Sequence, residues 1–208
     1  MTSRRMVLAG AAVAPLLGIL GQWRQARADQ AAQYRIIDGW GEIRLTPQTM
    51  TALRGMGATV YAIKPATLVG DPNVATIRMP LESGGAVNHD FTEGLAAIAG
   101  GVGLRTAAAE GQLTKVSGSL RGAKGRGSLA LNGETIDVGP WHVDIRKDAV
   151  ITVDQGPPGR PSAATIKAPL RATPEAVDLL TRHFGVPVFI PNTNVARVSA
   201  RFRFLSAG

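Results

Sequence analysis

Arg197-Val198-Ser199-Ala200-Arg201-Phe202-Arg203-Phe204, close to the end of a 208-residue chain, alternates polar and apolar side chains without a break. Successive side chains of a β-strand point to opposite faces. The stretch therefore reads as a strand with Val198, Ala200, Phe202 and Phe204 in a core and the arginines in water. The same period runs through Ala75, Ile77, Met79 and Leu81, which alternate with Thr76, Arg78 and Pro80. It recurs where Val143 and Ile145 alternate with His142, Asp144 and Arg146. Shorter strands are expected near residues 94–98, 102–106, 112–120, 128–131, 135–138 and 149–153. Glycine and proline mark nearly every junction between them, as a many-turned all-β architecture requires.

Helical patterning is confined to two stretches that echo one another. Ile43-Arg44-Leu45-Thr46-Pro47 leads through Met50 and Leu53 to Gly55 and Gly57, then into Ala58–Ile63. Leu170-Arg171-Ala172-Thr173-Pro174 leads through Val177 and Leu180 to Gly185, then into Val186–Ile190. Each reads as strand, short helix, strand. The threonine hydroxyl caps the helix, proline suits the first turn because its missing N–H would be unpaired there, and glycine supplies a left-handed exit. In the second copy Val177 and Leu180 share a face, with Phe184 beside them, and Glu175 near the start and Arg182 and His183 near the end match the helix dipole. A second echo, Ala75–Leu81 against Ala164–Leu170, has a different offset. The expected fold is mainly β: an antiparallel β-sandwich built from two related halves, with two short Thr-Pro-capped helices.

The start of the chain reads as an address. Arg4 and Arg5 follow Ser3, an apolar run extends from Val7 to Leu20, and Ala26-Arg27-Ala28 is the small-x-small pattern of a signal peptidase site. The run falls short of the about 20 residues a spanning helix needs. Residues 1–28 are thus expected to be a twin-arginine-like export signal cleaved after Ala28, residues 29–33 a flexible lead-in, and 34–208 a single β-rich domain with no transmembrane segment. Arg4, Arg5, Arg24 and Arg27, with no acid among them, carry half of the formal net charge of +8. What remains is mildly basic, which favours anionic cell-wall or lipid surfaces and gives no ground for expecting nucleic acid. The chain has no cysteine, so disulfides, thiolate metal sites and cysteine nucleophiles are excluded.

No catalytic constellation emerges: no serine is flanked as Gly-x-Ser-x-Gly, and the three histidines, His89, His142 and His183, lie outside zinc-site spacing. His142 and Asp144 share a strand face, but a polar pair on the wet side of a strand is expected to be surface. The basic Arg121–Gly127 loop reads as a hairpin tip rather than a phosphate cradle. No metal and no enzymatic activity are expected. The best surface feature is the ladder Arg197, Arg201 and Arg203, whose guanidinium forks suit an anionic polymer, although alternating arginines also keep a sheet face soluble.

Gly84-Gly85-Ala86-Val87-Asn88-His89, Gly94-Leu95 followed by Gly100-Gly101-Val102, and Thr173–Val177 with Phe184–Phe189 and Val198 resemble the secreted HtaA-type domain. That family consists of β-rich bacterial surface or secreted modules, some of which bind haem. The resemblance implies iron held by a tyrosine and a histidine, with His89 in a comparable place and Tyr34 and Tyr61 the only tyrosines on offer. Tyr61 aligns with Phe189 of the other Thr-Pro unit, which has no hydroxyl, and is therefore expected in the core. The reading at this level is an exported, non-enzymatic envelope or extracellular binding or structural module, with haem capture and adhesion to anionic wall polymer as its alternatives.

Overall fold

A computed structural model of the chain describes residues 34–71, 73–82, 85–88, 94–119, 124–142, 149–157 and 160–206. The strands are β1 (Tyr34–Leu45), β2 (Thr59–Ile63), β3 (Thr67–Val69), β4 (Thr76–Pro80), β5 (Ala86–Val87), β6 (Gly94–Ala97) and β7 (Gly101–Arg105). They continue with β8 (Glu110–Ser119), β9 (Lys124–Leu131), β10 (Glu134–His142), β11 (Val150–Asp154), β12 (Ser162–Ala172) and β13 (Asn194–Ser206). The helices are α1 (Pro47–Gly55) and α2 (Pro174–Phe184).

The alternating stretch that opened the sequence becomes β13, the centre of one face. It pairs antiparallel with β1 on one side and β12 on the other. β4 and then β3 extend this face beyond β1, and β11 extends it beyond β12. The opposing face is built on β8 and β9, with β10 beyond β9, β6 and β7 end to end along the other side of β8, and β2 outside β7. The fold is sandwich-like and antiparallel, as expected, but the two faces are joined at both margins. β5 bridges β1 to β6, and Trp141 of β10 pairs with Ala172 of β12.

The two Thr-Pro units sit on either side of β13, where Leu45 and Leu170 are both register partners of Ala196. Their caps have the same geometry. Thr46 has φ −73°, ψ 155° and Thr173 has φ −73°, ψ 156°, and each hydroxyl accepts the backbone N–H three residues on. The glycine exits are left-handed, Gly57 at φ 66° and Gly185 at φ 74°.

Beyond the helices the halves diverge, which corrects the strand expected at Val186–Ile190. After α1 the chain enters β2, but after α2 these residues form no strand. Pro187 and Pro191 lack the N–H a ladder needs. Val188 instead plugs the core at 2% exposure, while Ile190 is 70% exposed. The Ala75–Leu81 echo has no counterpart in symmetry: β4 flanks β1 and β3, whereas β12 flanks β13, β11 and β10. It reflects a shared inward pattern, Ala75, Ile77 and Met79 against Ala164, Ile166 and Ala168, all buried.

Three apolar clusters fill the space between the faces. Ile43, Ile77, Met79, Ala168 and Leu170 meet Val60, Ala62 and Val102 from the opposite face. Met50 and Leu53 of α1 and Leu180 of α2 close over Leu113, Leu129 and Leu131. Ile36, Val87, Phe202 and Phe204 form the third, with Tyr34 packed against them. Burial at about 25 cal/mol per Å² is what holds a cysteine-free chain together. One further lock ties α1 to β13: the buried Thr49 hydroxyl donates to the Val195 carbonyl at 2.8 Å.

Candidate functional site

The outer side of the β4–β1–β13–β12 face carries the ladder predicted from sequence, and register decides what surrounds it. In antiparallel pairing directly opposed residues project to the same side. Arg197 stands opposite Arg44 of β1 and Pro169 of β12, Ser199 opposite Glu42 and Lys167, Arg201 opposite Trp40 and Thr165, and Arg203 opposite Asp38 and Ala163. Arg44, Lys167, Arg197, Arg201 and Arg203 are all exposed.

These cations fall into two groups. Arg203 is held by Asp38, to which its Nε donates at 2.8 Å and its Nη2 also donates. That hydrogen bond keeps the Asp38 carboxyl below the usual carboxylate range. Arg78 of β4 is likewise held by Glu42 at 2.6 Å, and its guanidinium lies 4.7 Å from the centre of a Trp40 ring. Arg44, Arg197, Arg201 and Lys167 have no acid partner among the described residues. The arrangement brings Arg44 and Arg197 face to face across the strands, a like-charge pair that costs stability unless an anion lies between them.

The tyrosines do not converge. Tyr34, at the start of β1, lies half-buried against the third apolar cluster, its ring 4.7 Å from that of Phe204. Its register partner is Val87, on the strand that runs on into Asn88. Tyr61 was expected in the core, and here the structure differs: its neighbours Val60 and Ala62 pack inward, so alternation turns Tyr61 out. Its ring lies across Gly103, its partner on β7, where any added Cβ would sit 2.1 Å from the ring. Phe189, its sequence counterpart, packs against the core clusters.

The Tyr61 hydroxyl is committed. It donates to the Glu110 carboxylate and accepts from Gln112 Nε2 at 3.1 Å. Arg105 donates to the same carboxylate at 2.8 Å, with its guanidinium 5.1 Å from the Tyr61 ring centre. Burial, and then the bond to Glu110, push the phenol upward. The Glu110 carboxyl is brought down to about 2 by the bonds from Tyr61, Arg105 and Gln112, in that order. This cluster braces the β2–β7–β8 edge, and its phenol proton is already given to Glu110.

His89 and Asp144 lie outside the described residues, as does the start of the Arg121–Gly127 stretch. Lys124–Gly127 belong to β9, so half of the expected hairpin tip is ladder. His142 ends β10 opposite Arg171 and Lys124. His183 sits at the end of α2 with Nε2 3.0 Å from the Glu110 carbonyl and its ring edge-on to Phe184. Among the described residues no group of three His, Asp or Glu side chains gathers as a metal site, and no helix is long and apolar enough to cross a membrane.

Sequence reasoning found Arg197, Arg201 and Arg203 but missed Arg44 and Lys167, and it did not separate Arg203 from the rest. Ile43-Arg44-Leu45 and Ile166-Lys167-Ala168 do place a cation between inward apolar residues, which is the signal for an outward charge. Their alignment beside β13 depends on register, which no local pattern specifies.

No protein-family model matches the chain, and no curated protein matches it. Among solved structures, the chain is similar to the crystal structure of the C-terminal domain of HtaA from Corynebacterium glutamicum. The TM-score is 0.52 and the identity 11%, over 83% of this chain and 99% of that one. A second similar structure is the haem-binding protein HtaB from Corynebacterium glutamicum, with TM-score 0.45 and 8% identity over 83% of this chain and 97% of that one. The resemblance to the HtaA-type domain is therefore one of fold.

Proposed function

We propose that this chain is an exported, non-enzymatic binding module that grips an anionic cell-wall polymer on the outer side of the β4–β1–β13–β12 face. The observation that carries the reading is the opposition of Arg44 to Arg197, with Arg201 and Lys167 on the same side and no acid among the described residues to neutralise the four. Guanidinium forks match phosphate and carboxylate oxygens two at a time, and a polymer presents such groups at intervals along a flat sheet. Asp38 and Glu42 set aside Arg203 and Arg78, so the binding surface is narrower at one end than the arginine count suggests.

Co-sedimentation with purified anionic wall polymer tests the reading. The protein is expected to pellet at low ionic strength and to be released by salt, because exposed charges are screened over about 8 Å at physiological strength. The quadruple variant Arg44→Ala, Lys167→Ala, Arg197→Ala, Arg201→Ala is expected to stay in solution. Undiminished pelleting of that variant sinks the proposal.

Haem capture is the second reading, and the geometry favours Tyr34 for it. Tyr34 stands in an apolar, aromatic wall next to β5, and a tyrosine is one of the side chains that can hold haem iron. The cavity beneath the helices, about 90 Å³, is far below the roughly 300–1,000 Å³ of pockets that hold drug-sized ligands, so haem would not lie there. A haemin titration decides: a Soret shift at micromolar haemin that weakens in Tyr34→Phe and persists in Tyr61→Phe supports the reading, and no shift ends it.

A further inference from the structure

Between the faces, beneath both helices, packing stops short and leaves the cavity of about 90 Å³. Its wall is hydrocarbon. Leu53 comes from α1, Ala176 and Leu180 from α2, Val60 and Leu113 from the opposing face, and Val195 from the start of β13. The Val195 carbonyl is engaged by the Thr46 N–H at 3.0 Å and the Thr49 hydroxyl at 2.8 Å. Gly111 also borders the space. A Cβ there would lie 3.3 Å from both the Phe184 ring and Leu131, so these two side chains close the space at that point and bound it with further hydrocarbon.

A buried water needs two to four polar partners, and a wall that offers none stays dry. An apolar engineered cavity of about 150 Å³ lined by similar side chains takes benzene or xenon. Filling an empty space restores dispersion contacts that its lining atoms lack. We propose that this cavity is a binding site for a small unfunctionalised hydrocarbon, a short alkyl chain or a single ring. The site is separate from the basic face and excludes any guest carrying a charge or a hydrogen-bonding group, because nothing in the wall could pair with one. Its position under α1 and α2 gives the duplicated Thr-Pro units a shared task. Leu53 and Leu180, at matching places in the two helices, are its roof.

The test uses the full chain with xenon, followed by ¹²⁹Xe chemical shift, and benzene, followed by thermal melting. The wild type is expected to show one saturable xenon site, perturbation of the Leu53 and Leu180 methyl resonances, and a melting temperature raised by benzene but not by phenol. Ala176→Leu fills the space and is expected to lose the saturable component. Val195→Ile, one methylene larger, gives the same discrimination should Ala176→Leu fail to fold. Leu180→Ala enlarges the space and is expected to strengthen benzene binding several-fold. A xenon response that is linear and unsaturable in folded wild type, or one equal in wild type and both filled variants, overturns the proposal.

Discussion

Reversing the charge of Arg197 should make the protein more stable and less functional at once. Arg197 and Arg44 are directly opposed on exposed β13 and β1, and like charges in that relation are destabilising while opposite charges contribute about 0.2–1 kcal/mol. Arg197→Glu removes a repulsion and installs an attraction, so the swing is about 0.5–2 kcal/mol at low ionic strength. For a domain of this size about 1 kcal/mol moves the melting temperature by about 2–4 °C, which places the rise at about 1–8 °C. The backbone is undisturbed, because a strand residue on the wet face can change side chain without repacking. Melting curves at low and high salt are the assay. The gain should shrink as salt rises, since both partners are exposed and a Debye length of about 3 Å at 1 M screens them. Arg203→Glu is the control with the opposite sign: it breaks the pair with Asp38 and sets acid against acid. A lowered melting temperature for Arg197→Glu at low salt, or a gain indifferent to salt, would refute the register argument and the anionic-polymer reading built on it.

Further expectations concern the core and the Tyr61 cluster. Leu53→Ala truncates a side chain only 1% exposed beside an existing cavity, and should cost about 2–5 kcal/mol in denaturant unfolding, where a loss below about 1 kcal/mol would mean the roof is already slack. The Glu110 carboxyl, held at about 2, should titrate near that value by NMR and move up in Tyr61→Phe. Because its folded value lies below the unfolded one, its stabilising contribution is complete above the ordinary glutamate range and is lost as pH falls through that range toward 2. An unchanged Glu110 titration in the variant would show that the Tyr61 bond does not hold the carboxylate.

The parts of this fold legible in the sequence are those in which one residue's environment is set by its own neighbours. Alternation gave β13 and β4 correctly because one face of each is buried, and the caps at Thr46 and Thr173 were readable because a cap is a contract among four consecutive residues. Val186–Ile190 misled for the same reason. Its apolar, β-branched run looks like a strand locally, but Pro187 and Pro191 remove donors and it forms no strand pairing among the described residues. Tyr61 was misjudged by analogy with Phe189, when its own alternation with Val60 and Ala62 pointed outward.

The candidate site was half legible for a different reason. A strand announces which face a side chain takes but not what stands across from it, since register is set by distant segments. Arg197 and Arg203 are indistinguishable in the sequence, both outward arginines between apolar neighbours. The fold gives Arg203 an aspartate 165 residues away and gives Arg197 another arginine. The first is a structural brace and the second a like-charge pair, and under the proposed function that difference would concentrate anion affinity on the part of β13 nearest the helices. There Lys167 of β12 and Arg44 of β1 add to it, both drawn from the segments that lead into the duplicated Thr-Pro units. Both units begin beside β13, where Leu45 and Leu170 face Ala196, and the same register brings Arg44 and Lys167 alongside Arg197 and Ser199 on the proposed binding face.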